Sequence, residues 1–182
     1  MAPDQVDWLV TAALAAPHVL YAFIWLLPNV WLSFSSKKPK RAVYNMEFCA
    51  WLLKVVQASA VLWWYHCKNP GGLHLDMDQV ALHQWVAFVG LAGLGQALNL
   101  SIYDAIGSEG VYYGTKLGLH VPWHKGFPFN FVAHPQYVGS VMTIWAVVAV
   151  LYNQGPAGQG LSILACYWSG LYMITAMQEQ YL

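Results

Sequence analysis

The sequence predicts an all-α integral membrane protein, a bundle of about five transmembrane helices with an irregular cytoplasmic loop between spans 3 and 4. Composition is one reason, because 58% of the 182 residues are hydrophobic and 9% are charged, whereas about 25% are charged in an average soluble domain. The recurrence of apolar stretches that can cross about 30 Å of hydrocarbon is the other. Since no long-period repeat interrupts them, we expect residues 1–182 to form a single membrane-embedded domain.

Charge and cysteine content argue against several other classes. The formal net charge is zero and KKPKR is the only basic run, so nothing indicates nucleic-acid binding. Cys49, Cys67 and Cys166 are odd in number and lack CxxC spacing, which indicates free thiols and predicts no metal site. The N-terminus has no basic n-region, so the first span is itself expected to be the insertion signal.

The first predicted span covers roughly Trp8 to Phe34, and Pro17 and Pro28 interrupt it. Proline removes a backbone donor and clashes with the preceding turn. Two outcomes are open: one kinked helix, or a break near Pro28 followed by a shorter interfacial segment. His18 lies inside this span, where we expect it to bond a neighbouring helix rather than to act as a ligand.

The second predicted span runs from about Asn45 to His66 and contains Glu47 and Lys54. Ionisable side chains inside a span are costly and usually face a partner or a cavity. Lys54 is therefore either a functional residue or a residue that snorkels or pairs with Glu47, seven residues away on the same helical face. Both interpretations stay open.

Three further spans are predicted, at about Gln79 to Ile106, Gln136 to Tyr152 and Leu161 to Met177. The first of these has small residues spaced for close helix packing, namely Gly90, Gly93 and Ala97. It also has a polar stripe at i, i+3 and i+7, formed by Gln96, Asn99 and Tyr103. One face of this helix should pack, and the other should be wet or hydrogen-bonded.

The stretch from Gly107 to Ser140 is too rich in glycine, proline and histidine to be a span, yet apolar spans flank it. Irregular backbone at this depth is tolerated only where protein or water satisfies its polar groups. Lys and Arg residues concentrate in the loop between spans 1 and 2, which contains KKPKR, and less strongly in this stretch between spans 3 and 4. The loops at the opposite ends of these spans carry less positive charge. Basic loops stay cytoplasmic, so we expect a folded site on the cytoplasmic face.

The sequence from Gly95 to Ser140, GQALNLSIYDAIGSEGVYYGTKLGLHVPWHKGFPFNFVAHPQYVGS, closely resembles the plant and algal phospholipid N-methyltransferases. These look like small relatives of phosphatidylethanolamine N-methyltransferase. The resemblance implies transfer of methyl groups from S-adenosyl-L-methionine to monomethylated and dimethylated phosphatidylethanolamine within the bilayer, which yields phosphatidylcholine. It also implies a multi-pass location in the endoplasmic reticulum membrane.

The resemblance extends to cofactor-binding positions. A glycine motif in a span is matched by Gly93 and Gly95 before Gln96, and an acidic motif after the last span is matched by Glu179 alone, in Gln-Glu-Gln. Relatives commonly carry Arg-His before the Pro-x-Tyr-x-Gly element, whereas here Ala133 precedes His134. His134 or nearby backbone N–H groups are the remaining anchors for the cofactor carboxylate.

Methyl transfer needs an uncharged amine, so a base must accept a proton from the ammonium. The candidates, in order, are His134, then Glu109, then His124 or His120. Aromatic faces bind methylated cations, and a cage for the substrate is expected from Tyr112, Tyr113, Trp123 and Tyr137. Tyr137 thus belongs to both the catalytic and the substrate-binding candidates.

Two alternatives to this function stay open. A membrane methyltransferase could act on another acceptor, such as a prenylcysteine carboxylate, although Arg41 is the only arginine that could bind one. The chain could instead be a non-catalytic or haem-binding membrane protein, since His18, His66 and His83 lie in or near spans.

Overall fold

The computed structural model describes residues 3–122 and 124–181, and within these ranges the only regular structure is helical. This confirms the predicted all-α class. The α-helices are α1 (Pro3–Leu26), α2 (Pro28–Phe34), α3 (Pro39–Lys68), α4 (Leu82–Val111), α5 (Pro135–Leu151) and α6 (Pro156–Tyr181), with a short 3₁₀ turn at Met77–Gln79. All of them except α4 begin at a proline, whose missing N–H costs nothing at the first helical position.

Four of the described helices, namely α1, α3, α4 and α6, are long and apolar enough to cross a membrane. The fourth predicted span corresponds to α5, which is apolar but has only 17 residues. Its length is limited by Pro135 at its start and by the turn before Pro156 at its end. At 1.5 Å per residue α5 measures about 26 Å, and it packs along most of its length against α4.

The first predicted span breaks between α1 and α2, which decides between the two outcomes that the sequence left open. Leu27 separates the helices with φ −128° and ψ 53°, because a residue that precedes proline avoids helical dihedrals. Pro17 stays inside α1. His18 Nδ1 lies 2.9 Å from Thr175 Oγ1 of α6, so the expected bond to a neighbouring helix is confirmed.

The helices form two packed pairs, α1 with α3 and α4 with α5, and α6 joins the two pairs. α1 contacts α3 and α6, and α5 contacts α4 and α6, whereas α3 and α4 barely touch. An apolar cluster that includes Ile24, Met46, Ile102 and Leu117 joins α1, α3 and α4 to the irregular segment, which is the stretch between α4 and α5. Leu117 is fully buried there, so this segment is anchored on the end of the bundle.

The close contact between α4 and α5 lies at Gly95 and Gly139. A Cβ built on Gly95 would lie 2.6 Å from the carbonyl oxygen of Gly139, so the two backbones approach too closely for a side chain. Gly90 and Gly93 have no neighbour within 4 Å at that position. The expectation that Gly90 and Gly93 pack closely is therefore wrong, since the face of α4 that meets α5 carries Gly95 instead.

The C-terminal ends of α4 and α6 differ slightly from the predicted boundaries. α4 continues past Ile106 but kinks at Gly107, whose φ of 63° is readily adopted by glycine. α6 runs to Tyr181 rather than ending near Met177, because the Gln-Glu-Gln stretch consists of good helix formers. Glu179 therefore lies within the last turns of α6 and not in a tail after the helix.

Candidate active site

The irregular segment folds back over the ends of the helices through a tight turn after α4. The Gly114 N–H donates to the carbonyl of Glu109 at 2.7 Å, and a side chain at Gly114 would overlap that carbonyl oxygen. Tyr113 takes a φ of 59°, a left-handed conformation that is costly for a bulky residue. Such strained residues cluster at functional sites, where surrounding contacts hold them in place.

The contact that holds Tyr113 is a hydrogen bond to a carboxylate. The hydroxyls of Tyr113 and Tyr137 both donate to the same oxygen, Oε1, of Glu179. These three side chains come from the irregular segment, α5 and α6. No described residue donates a hydrogen bond to Oε2 of Glu179, so this oxygen is free to bind a ligand.

A cavity of about 450 Å³ lies beside Glu179, within the range of small-molecule sites. Lys116 Nζ lies 4.0 Å from the centroid of the Trp25 ring at this cavity. The side chains with polar or aromatic groups at its wall include Trp25, Tyr113, Lys116, His134, Gln136, Tyr137 and Glu179. The cavity thus combines aromatic faces, one carboxylate, one ammonium group and one imidazole.

Burial changes the ionisation of two groups at this cavity. It lowers the pKa of His134 below its usual 6.5, so the imidazole is neutral and can accept a proton at pH 7. Burial, and then the negative charge of Glu179, raise the pKa of Tyr113, so its hydroxyl stays a hydrogen-bond donor. The His134 ring stacks on Tyr137, with ring centroids 5.8 Å apart and an 11° angle between planes.

The structure brings four of the sequence-predicted site residues together at the cavity: Tyr113, His134, Tyr137 and Glu179. Tyr112 is buried behind it, with its hydroxyl 2.9 Å from that of Tyr103. Trp123 lies outside the described residues. Of the other base candidates, Glu109 and His120 are exposed, and His124 Nε2 donates to the Phe127 carbonyl at 3.2 Å.

The predicted glycine motif lies away from this cavity. Neither Gly93 nor Gly95 is among the residues that line it. Gln96 donates to Thr143 Oγ1 at 2.9 Å and lines a second cavity with Asn99 and Tyr103. The prediction that this polar stripe faces a wet or hydrogen-bonded environment is confirmed.

Residues that the sequence did not predict at the site, such as Trp25 and Lys116, also line the main cavity. Trp25 contributes its ring from the end of α1, in a span that shows no local sign of a site. Lys116 belongs to the irregular segment, where its charge contributed only to the predicted cytoplasmic orientation. Ala133 in place of an arginine before His134 left the anchor for a cofactor carboxylate open.

Comparisons with known proteins find a family match over the C-terminal half of the chain and relatives of similar sequence. A family model described as phospholipid methyltransferase matches residues 83–182. A relative from Arabidopsis thaliana, a phosphatidyl-N-methylethanolamine N-methyltransferase, is 38% identical over 78 residues, 41% of this chain and 48% of the relative. One of the same name from Saccharomyces cerevisiae is 34% identical over 93 residues, 50% of this chain and 43% of the relative. The chain thus matches about half the length of these relatives, and no solved structure matches it.

Proposed function

Since the chain belongs to the phospholipid methyltransferase family, we propose that it transfers methyl groups from S-adenosyl-L-methionine to phosphatidyl-N-methylethanolamine and phosphatidyl-N,N-dimethylethanolamine, forming phosphatidylcholine. The observation that carries this proposal is Glu179, a carboxylate fixed by Tyr113 and Tyr137 beside a cavity of about 450 Å³. The names of the two relatives support monomethylated lipid as an acceptor.

The groups at the cavity fit S-adenosylmethionine, which carries a sulfonium, an ammonium, a carboxylate and an adenine ring. Glu179 and the aromatic faces of Trp25, Tyr113 and Tyr137 suit the cationic groups, since such a face contributes about 0.5 to 2 kcal/mol per contact. Lys116 suits the carboxylate of the cofactor. It would take the place of the arginine that relatives commonly carry before the position of His134. Gly95 acts in this proposal through helix packing, and Gly93 and Gln96 do not contact the cofactor.

When bound, S-adenosylmethionine would supply an electrophilic methyl group on its sulfonium: the uncharged amine nitrogen would bond to the methyl carbon in line as the carbon–sulfur bond breaks, and S-adenosylhomocysteine would leave. Catalysis then depends on holding nitrogen and methyl carbon in line at near contact. In our proposal the walls of the cavity do this, with Tyr113 and Tyr137 held by Glu179. His134 takes the proton that the lipid ammonium must lose, and Tyr137 orients its ring by stacking.

The proposed location is the endoplasmic reticulum membrane, with the active site on the cytoplasmic side. Lys37, Lys38, Lys40 and Arg41 precede or begin α3 at the same end of the bundle as the irregular segment. This charge distribution supports the orientation. Acyl chains of the substrate would stay in the bilayer while the headgroup enters the bundle.

The test of this function combines binding and turnover on one purified, detergent-solubilised sample. We expect S-adenosylhomocysteine to bind in calorimetry, and methyl transfer to the monomethyl and dimethyl phospholipids to exceed transfer to phosphatidylethanolamine. Binding without transfer to any of the three lipids would point to a different acceptor. A folded protein that does not bind would refute the proposal altogether.

His134→Ala is expected to lower kcat about a hundredfold, because a positioned base contributes at least that much to many proton transfers. Cofactor affinity should change less. In the unmodified protein kcat should fall as the pH drops through the His134 pKa, which lies below 6.5, because the protonated ring accepts no proton. The variant should lose this acidic limb.

The matched control for this variant is His120→Ala, because His120 is an exposed histidine of the same segment. Its pH–rate profile should follow that of the unmodified protein. If the acidic limb persists in His134→Ala with kcat unchanged, another group is the base.

A further inference from the structure

A second cavity, of about 510 Å³, lies deeper in the bundle between α3, α4, α5 and α6. Its apolar wall includes Trp51, Leu100, Ile144 and Trp168. Its polar side chains include Lys54, Gln57, Gln96, Asn99, Gln136 and Thr143. A cavity with a lysine and several amides at this depth is unusual, because polar groups inside a span are costly and mark functional paths.

Lys54 has no acidic partner within the described part of the chain. The one ion pair there joins Lys68 to Asp7. Glu47, the predicted partner of Lys54, accepts a hydrogen bond from Ser108 at 3.3 Å instead. Lys54 Nζ lies 5.6 Å from the centroid of the Trp51 ring. The predicted pairing with Glu47 is therefore wrong, whereas a functional role and snorkelling both stay predictions.

The second cavity opens towards the bilayer and lies beside the active-site cavity, with which it shares Gln136. α3 and α4 barely touch, and the rim residues Trp51 and Leu100 are 54% and 65% exposed. On the inner side lies a smaller cavity, whose wall contains residues that also line the two larger cavities. Its wall includes Lys54 and Gln136 from the second cavity, and Tyr113 and Tyr137 from the active site.

We propose that Lys54 binds the phosphate of the phospholipid substrate, which enters between α3 and α4. This inference rests on the proposed function. It assigns to Lys54 the selection of a phospholipid over other membrane amines as the methyl acceptor. An ammonium group is a point charge with three donors, suited to a phosphate. Asn99 and Gln136, whose side chains bond no described residue, supply amide donors at the same cavity.

The groups that would bind the two ends of the headgroup lie around one small cavity. Lys54, Tyr113 and Tyr137 all line it. In the lipid, a short ethanolamine link separates the nitrogen from the phosphate. With the amine beside Tyr113 and Tyr137, the phosphate extends towards Lys54, and the acyl chains leave through the gap between α3 and α4.

The experiment measures lipid binding, so that it does not depend on turnover. Native mass spectrometry of the purified full chain would compare phosphatidyl-N-methylethanolamine with an analogue whose phosphate is replaced by an uncharged carbamate. The unmodified protein should prefer the phospholipid about tenfold to a hundredfold, as expected for a charge-assisted hydrogen bond. Lys54→Met should abolish this preference, and Lys54→Arg should retain it.

The matched control is Lys40→Met, which removes an exposed lysine from the start of the same helix and should leave the preference unchanged. If Lys54→Met weakens binding of both lipids equally, Lys54 has a structural role and the inference is wrong. An unchanged preference in Lys54→Met would also overturn it. Should the unmodified protein prefer the phospholipid through Lys54 but transfer no methyl group, the phosphate site would stand and the proposed function would fail.

Discussion

Replacing Glu179 with glutamine is expected to weaken S-adenosylmethionine binding about a thousandfold, or about 4 kcal/mol. Glutamine keeps the shape of the side chain, and its carbonyl oxygen can still accept from the hydroxyls of Tyr113 and Tyr137. The loss would therefore report the negative charge that, in our proposal, faces the cationic cofactor. Calorimetry on the detergent-solubilised variant would measure it. Glu179→Gln should weaken binding more than His134→Ala, which should affect turnover more.

Asp104→Asn is the matched control, since it removes an exposed carboxylate from α4. We expect it to leave the affinity within about twofold, because exposed charges are well screened. Affinity retained in Glu179→Gln would show that the carboxylate does not face the cofactor. The assignment of the cavity would then be wrong even if Tyr113 and Tyr137 remained in place.

The Gly95→Ala substitution is expected to destabilise the protein by about 2 to 3 kcal/mol. The added Cβ would lie 2.6 Å from the carbonyl oxygen of Gly139 and 2.8 Å from Thr143 Oγ1. A backbone oxygen inside a helix cannot turn aside as a side chain can, so α4 and α5 must separate. Thermal unfolding in detergent, followed by tryptophan fluorescence, should show a lower midpoint.

Gly93→Ala is the control for this substitution, because a Cβ at Gly93 meets nothing within 4 Å. It should stabilise the protein by about 0.5 to 1 kcal/mol, the difference between glycine and alanine inside a helix. An equal loss of stability in both variants would contradict the packing argument. Loss of cofactor binding in Gly93→Ala with unchanged stability would show instead that the glycine motif contacts the cofactor.

Periodicity was enough to predict the polar stripe of α4 and its environment. Gln96, Asn99 and Tyr103 line one cavity, because residues three and four apart share one face of any helix. The break at Pro28 was one of two open outcomes, since proline in a span can either kink or end a helix, and packing decides which. The contact at Gly95 was missed because several faces of α4 carry small residues, and only the position of α5 selects one.

The sequence by itself determined the class of the protein, the approximate spans and the segment in which the site lies. These follow from composition and local backbone preferences, which act over a few residues. Only the tertiary structure decided that Tyr113 and Tyr137, 66 and 42 residues from Glu179, donate to one carboxylate oxygen. It likewise decided that Trp25 and Lys116 line this cavity. It also decided that Lys54 lines the second cavity and does not pair with Glu47. Such contacts depend on how the helices cross, which is set by packing between distant parts of the chain.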